Sequence, residues 1–465
     1  MPPPTRVEEW ETNPIGMMDF YQGQQYKLGQ SIADLIDNSY DAGAKRIDVQ
    51  IERDSETGGM YIRILDDGKG IPEKEWRKAM MLGLQRTRKR TDLGVFGVGL
   101  KLSSLSQAHE VTVASVHKGK FGLRRISAHH IRKTGLNQLL LEGSGSAAFQ
   151  EAYDMLTSVP ASWSTFVLLE DIHSEWRFSS MDMEGDAALQ KEIGRIRIHL
   201  GLTFQKVLTS SSRGGTKLFF QGREIKPIDP TMMWEKSSKF GTIIEPTTAL
   251  SFGKKTEISA MVTPVIIPHR KQRSDLKRCS FVESGYKKAN DMQGLYIYRN
   301  DRLIQYGGWS SLYGETNEEH NKLGKVLIEI PAGSEAVFGL DPTKTEMQLP
   351  LEFLRKLRKH LDRKKQWGQV KKGSKMSFSD AFDHRYRNEG KKAKKPGSKG
   401  ASNKGGKASG TKAFDPDKRT RKKPQKPKPG VVRSITKEGQ DTVVVIDRGA
   451  DGSKELIREI RRWTD

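Results

Sequence analysis

The chain has 465 residues, a formal net charge of +23 and a pI near 9.8, with 35% hydrophobic residues and a mean hydropathy of −0.66. Its one cysteine, Cys279, excludes an internal disulfide and any multi-cysteine zinc module. No window approaches the apolar run of about 18 residues that spans a bilayer, and no apolar leader follows "MPPPTRVEEWETNP", so a reducing intracellular setting without membrane contact is expected.

The excess positive charge asks for a polyanionic partner, nucleic acid before an anionic surface. A solvated basic tail that only aids solubility is the plainer account.

Residues 1–20 read as an N-terminal arm, with prolines at 2, 3, 4 and 14. Residues 21–180 then alternate helical and strand patterns. In "DLIDNSYDAGAKRIDVQI", Ile32, Leu35, Ile36 and Tyr40 share one helical face, and Asp34, Asp37, Asn38 and Asp41 share the other. The acids repel one another unless something positive sits among them. Bulk water and salt would serve; so would Mg²⁺, a hard cation that takes oxygen ligands and bridges phosphates. "RIDVQIERD" and "GMYIRILDDG" alternate as half-buried strands do, and "DSETGG" between them is turn chemistry.

The second of these strands runs into "DDGKGIP". There Asp66 offers a fixed acceptor beside a backbone without side chains, which suits the exocyclic amine of adenine; an ordinary turn also reads this way. "DLGVFGVGLKLSSL" follows, with Gly94, Gly97 and Gly99 leading into a helix and Lys101 adding charge. Bare backbone N–H groups can approach phosphate there. One glycine-rich turn is weak, but three such elements in this order are not. "HEVTVASVHKGKFGLRRISAHH" reads as a hairpin and "STFVLLEDI" as a further strand. His109, His129, His130 and His173 show no metal-ligand spacing and are assigned no site. Arg86, Arg88, Lys89 and Arg90 are read either as phosphate or DNA contacts or as a solvated loop.

A second α+β region is expected over 181–368. It holds a helix in "ALQKEIGRIRIHLGLTFQKVL", a hairpin in "GLYIYRNDRLIQYG", a strand in "KVLIEIPAG" and a helix striped by Leu351, Leu354, Leu357 and Leu361. Residues 369–430 are assigned to a disordered basic linker. Their Lys-, Gly-, Ser- and Pro-rich core, from about residue 385, cannot bury enough surface to fold. Residues 431–465 read as a hairpin and a short helix, too small for a secure independent domain.

The three motifs resemble those of the GHKL ATPases, the superfamily of DNA gyrase, heat-shock chaperones, histidine kinases and MutL. "DLIDNSYDAGA" matches its N-box, and "DDGKGI" and "LGVFGVGLK" its two glycine boxes. "GLYIYRNDRLIQ" and "FGLDPTKTEM" look like the transducer domain of its gyrase, MutL and MORC branches, and the whole is most similar to MORC-type ATPases or a prokaryotic relative. The resemblance implies an α+β fold: a two-layer Bergerat ATPase domain followed by a transducer-like, ribosomal S5-like domain.

It also implies roles for residues. Asp34 would be the general base, where the family usually has Glu; the missing methylene shortens its reach by about 1.5 Å and so implies slow hydrolysis. Asp37 is a candidate substitute base, set against a structural N-cap or surface role, which is the plainer reading. Asn38 would hold Mg²⁺ and Asp66 would accept from adenine. Gly68, Gly70, Ile71, Asp41 and Thr165 would complete the nucleotide pocket, although Ser164 replaces the glycine that usually precedes that threonine. Gly94, Val95, Phe96, Gly97, Val98, Gly99, Leu100 and Lys101 would form a lid, and Lys344 would reach the terminal phosphate. The implied cofactors are ATP and Mg²⁺. The implied partners are a second copy, joined on ATP binding, and DNA held mostly without sequence preference. A chaperone-like ATPase, a MutL-like repair factor and a vestigial ATP site are the competing readings. The compartment follows the organism: cytoplasm in a prokaryote, nucleus in a eukaryote.

Overall fold

A computed structural model describes residues 12–389 apart from 25, 54–57, 82–91, 94–98, 142–144, 159–161, 174–182, 211–214, 236–237, 241–259, 275–291, 314–317, 336, 341–346, 364–368 and 372–373, together with 435–438 and 441–444. Helix α1 (Pro14–Gln22) starts where Asn13 accepts from the backbone N–H groups of Ile15 and Gly16, with proline at its first position. Helix α2 (Leu28–Asp41) carries the acidic motif and stops at Ala42 and Gly43, whose φ of +78° suits glycine. Strands β1 (Arg46–Arg53) and β2 (Met60–Asp66) pair antiparallel, and the short α3 (Trp76–Met80) follows. Next come α4 (Gly99–Leu105), the hairpin β3 (Ala108–His117) and β4 (Lys120–Ser127), and α5 (Ala128–Thr134). Helix α6 (Ala147–Thr157) precedes β5 (Thr165–Ile172).

The arm expected through residue 20 is therefore partly helical. Met18 and Tyr21 of α1 are buried with Leu102, Leu105 and Ile131 of α4 and α5, so residues 14–22 belong to the chain's own core.

Helix α7 (Met183–Thr203), α8 (Gln205–Thr209), β6 (Lys217–Phe220) and β7 (Arg223–Glu224) were expected in the second region. They complete the first sheet instead, whose order is β4-β3-β5-β2-β1-β6-β7. β6 pairs parallel with β1, the one parallel neighbour in that sheet. The boundary expected at 180 fails because this pairing joins residues about 170 apart, a distance at which local periodicity is silent.

One face of the sheet packs on α2 and α7 through Ile32, Ile36, Ile62, Ile64, Ile196 and Leu200. β2 is buried at all seven positions rather than at alternate ones, because α6 covers the opposite face. There Arg63, 7% exposed in its side chain, reaches Glu151 of α6 at 2.7 Å.

The second sheet has the order β11-β10-β12-β9-β8, from β8 (Lys239–Phe240), β9 (Met261–Ile266), β10 (Gly294–Arg299), β11 (Arg302–Tyr306) and β12 (Gly324–Ile330). Tyr296, Tyr298 and Leu303 on one of its faces pack with Leu202 of α7, so α7 is a wall shared by both sheets. The other face carries the helix Leu351–Leu361 through Phe353, Leu357 and Leu361.

Residues 369–389, assigned by composition to the linker, include a second helix on this face, Phe378–Glu389. Phe378 and Phe382 are fully buried in the second core, and Phe382 stacks on Trp309 at 5.8 Å. Residues 395–465 form a separate unit, in which Ile435–Glu438 and Asp441–Val444 pair as the expected hairpin. The rest of the linker and the terminal helix lie outside the described residues. No helix among the described residues is long and apolar enough to cross a membrane.

Phe382→Ala is expected to cost about 3–5 kcal/mol in urea unfolding, the usual result of emptying a packed aromatic site. A loss within about 0.5 kcal/mol, typical of surface positions, would restore the helix to the linker.

Candidate functional site

Three strands set the floor of the site. Asp66 ends β2 opposite Thr165 at the start of β5, and Thr165 lies opposite Ser115 of β3. Asp66 is 6% exposed; its two oxygens accept from the Ser39 hydroxyl at 2.8 Å and the Gly68 N–H at 2.9 Å. Burial pushes its carboxyl up to about 6, and the Ser39 and Gly68 hydrogen bonds oppose the rise. Thr165 Oγ1 lies 3.2 Å from Ser115 Oγ, which also accepts from the Ile71 N–H at 2.9 Å. Asp66, Gly68, Gly70, Ile71 and Thr165 thus lie close together at the ends of β2, β3 and β5. Ser39 and Ser115 tie them together and were missed, since a lone serine carries no spacing signal.

The glycines are required by close approach. A Cβ at Gly70 (φ +66°) would sit 2.2 Å from the Val116 carbonyl oxygen, and one at Gly68 would sit 2.8 Å from Ala42 Cβ. The second contact joins the "AGA" turn to "DDGKG", as do the Lys69 N–H donating to Ala42 O at 3.1 Å and the Asp67 carboxylate accepting from the Lys45 and Arg46 N–H groups at 2.6 and 2.8 Å.

On α2, Asn38 is the one exposed residue among buried neighbours from Ser31 to Tyr40. Its amide nitrogen donates to Asp34 O at 3.3 Å. Asp41 accepts from the Leu93 N–H at 2.8 Å and so ties α2 to the segment preceding the glycines.

Asp34 and Asp37 do not lie on a solvated face, one of the two readings the sequence left open. Their side chains are each 1% exposed, and both face the guanidinium of Arg302, the first residue of β11. Arg302 Nη2 donates to Asp34 at 2.6 Å and its Nε to Asp37 at 2.8 Å, while the Tyr26 hydroxyl donates to the other Asp34 oxygen. Burial would lower the Arg302 pKa, but Asp37 and Asp34 outweigh it and hold the group above its ordinary value. Burial and Asp34 together push the Tyr26 phenol up. The cation among the acids is therefore, at these two positions, supplied by the chain itself. In this conformation Asp34 is closed to water, and Asp37 is held the same way.

The rest of the β10–β11 turn grips the same region. Arg299 Nη1 donates to Asp92 O at 2.8 Å and Asn300 Nδ2 donates to it at 2.9 Å, just before the glycine-rich segment. Asn300 and Asp301 take φ of +48° and +69°, the tight-hairpin geometry that Asn and Asp tolerate. Arg299, Asn300 and Arg302 were missed as site residues because their partners lie more than 200 positions away.

Gly99 and Leu100 open α4, and Leu100 is half-buried. Lys101, expected over phosphates, is 3% exposed and donates to Ala79 O at 2.7 Å. Gly94, Val95, Phe96, Gly97, Val98 and Lys344 lie outside the described residues, as do Arg86, Arg88, Lys89 and Arg90.

Residues 26–154 match the family described as histidine kinase-, DNA gyrase B- and HSP90-like ATPases. ATPase MORC2 of Homo sapiens is 37% identical over 78 residues, 16% of this chain and 8% of that protein. DNA mismatch repair protein MutL of Aliivibrio salmonicida is 37% identical over 91 residues, 18% of this chain and 13% of that protein. Mismatch repair endonuclease PMS2 of Gallus gallus is 32% identical over 109 residues, 22% and 12% respectively. The chain thus spans only 8% to 13% of the length of these relatives.

Arg302→Met is expected to cost about 3–5 kcal/mol, because two carboxylates stay buried without their cation. Adding Asp34→Asn and Asp37→Asn should recover part of that loss in chemical denaturation; strict additivity would disprove the coupling. For Asp66, a folded pKa above the unfolded one means a stability contribution that is full below about pH 4 and is lost as pH rises through about 6. Relative to Asp66→Asn, the wild type should lose on the order of 2–3 kcal/mol across that window, measured by unfolding without nucleotide.

Proposed function

We propose that the chain, whose residues 26–154 match the histidine kinase-, gyrase B- and HSP90-like ATPases, binds Mg-ATP, hydrolyses it slowly and closes on ATP as a homodimeric DNA clamp. The observation that carries this reading is the buried Asp66 carboxylate, in register with Thr165 beside two glycines that admit no side chain. Such a carboxylate can accept from an adenine amine in a pocket shielded from water. Asn38, exposed at the mouth, would hold Mg²⁺ by its amide oxygen; the ion, when bound, supplies positive charge to the phosphates.

Hydrolysis needs a base with access to water. Asp34 fills the family's base position but is sealed by Tyr26 and Arg302, which favours ATP acting chiefly as a binding signal. Moving the β10–β11 turn would release Asp34 and Asp37 together. The same turn holds Asp92 through Arg299 and Asn300, so closure of the glycine-rich segment and the position of the second sheet would change in concert. Lys344 would sense the terminal phosphate. The first 13 residues would cross to the second copy, and the lysine-rich stretch 390–430 would supply phosphate contacts to DNA.

Light scattering with Mg²⁺ and a non-hydrolysable ATP analogue should convert monomer to dimer in the wild type and fail in Asn38→Ala and Asp66→Asn. ATP affinity should rise with pH through about 6, as Asp66 ionises, and lose that dependence in Asp66→Asn. DNA affinity should fall steeply with salt and with removal of residues 390–465. Unchanged mass with nucleotide, or salt-independent DNA binding, would sink the clamp.

A further inference from the structure

The histidines to which sequence spacing assigned no site converge in the fold. His109 lies on β3, between the cross-strand pairs Ala108–Ile172 and Glu110–Glu170, and so stands opposite Asp171 of β5. His129 opens α5, and its Nε2 lies 2.7 Å from Asp171 Oδ2. One ligand atom each from His109, His129 and Asp171 lies within 4.8 Å of the others. The rings of His109 and His129 are 5.1 Å apart, and His173 meets His109 edge-on at 4.4 Å.

The ring of His109 is held at both nitrogens. Gln22 Nε2 of α1 is 2.9 Å from Nδ1, and His173 Nδ1 is 3.2 Å from Nε2. His173 is fixed in turn by Leu105 O, 3.1 Å from its Nε2. Only one of these partners can stay when His109 ligates: the nitrogen that takes the ion gives up its hydrogen bond, and the partner on the other nitrogen orients the ring. Asp171 adds an independent sign. It is not glycine, yet it takes φ of +51° next to the end of β5, a conformation that costs energy and recurs at functional sites. The side chains of His129 and Asp171 are 60% and 30% exposed, so an ion can reach them from solvent.

We infer that His109, His129 and Asp171 form a binding site for a divalent transition metal of the zinc type. Two imidazoles and a carboxylate suit Zn²⁺ or Co²⁺, whereas Mg²⁺ prefers an all-oxygen set. The site is separate from the nucleotide pocket and does not depend on the proposed clamp. Thr165 and Asp171 are six residues apart on one strand, or about 20 Å at the strand rise. Because Gln22 holds His109 while Arg132 of α5 holds Asp19 and Gln22, the metal would fasten α1 and α5 to strands β3 and β5.

The test is titration of the metal-free full chain with Zn²⁺ against a chromophoric chelator, and with Co²⁺ followed by its visible ligand-field bands. Mg²⁺ is the control. His129→Ala removes an exposed side chain, and Asp171→Asn keeps a residue that tolerates left-handed φ, so both variants should fold; circular dichroism checks this. One ion per chain is expected, with affinity lowered at least about tenfold in each variant, and a Zn²⁺-dependent rise in Tm lost with it. No uptake by the wild type, or equal uptake by all three proteins, would overturn the inference.

Discussion

The guanidinium of Arg302, buried between the carboxylates of Asp34 and Asp37, is the interaction on which the arrangement of the two sheets turns. The carboxylates sit on α2, which packs against the first sheet; the guanidinium begins a strand of the second sheet. Charges taken out of water must satisfy one another, because either alone would be costly there. Phe204 lies beside the guanidinium, 6.0 Å from its ring centre to the charge, and completes the dry surroundings. A bond of this kind gives geometry more than net stability. It fixes where the β10–β11 turn meets α2, and through Arg299 and Asn300 where the chain leads into the glycine-rich segment.

Much of the first sheet and its helices was legible in the sequence because their signals are local. The helix around Asp34–Asp41, the alternating strands, the β3–β4 hairpin and the glycines at 68 and 70 each follow from neighbouring residues. The family resemblance then gathered Asp66, Thr165 and Ile71 into one pocket, and the strand register brings them together. What stayed hidden depends on long-range contact. β6 joins β1 across 170 residues, α6 buries the polar alternation of β2, and a lysine-rich composition concealed the two phenylalanines at 378 and 382.

The acids show the limit most clearly. Four polar residues on one helical stripe imply either solvent or a bound cation, and local pattern cannot choose between them for each position. The fold divides the stripe: Asp34 and Asp37 go to Arg302, Asp41 goes to the Leu93 N–H, and Asn38 alone faces outward. The convergence of the histidines was hidden for the same reason. Residues 109, 129 and 171 sit on three elements and meet only because β3 pairs with β5 and α5 folds back beside them.

The shared wall α7 constrains how such a chain can change over generations. Ile193, Ile196 and Leu200 face the first sheet, while Leu202 faces the second. Gly29 of α2 lets this helix come so near that an added Cβ would lie 3.3 Å from His199. A substitution that shifts α7 to suit one sheet displaces it from the other. The two sheets are therefore mechanically coupled along this seam: a change on one side of α7 is tolerated only if the packing on its other side can follow.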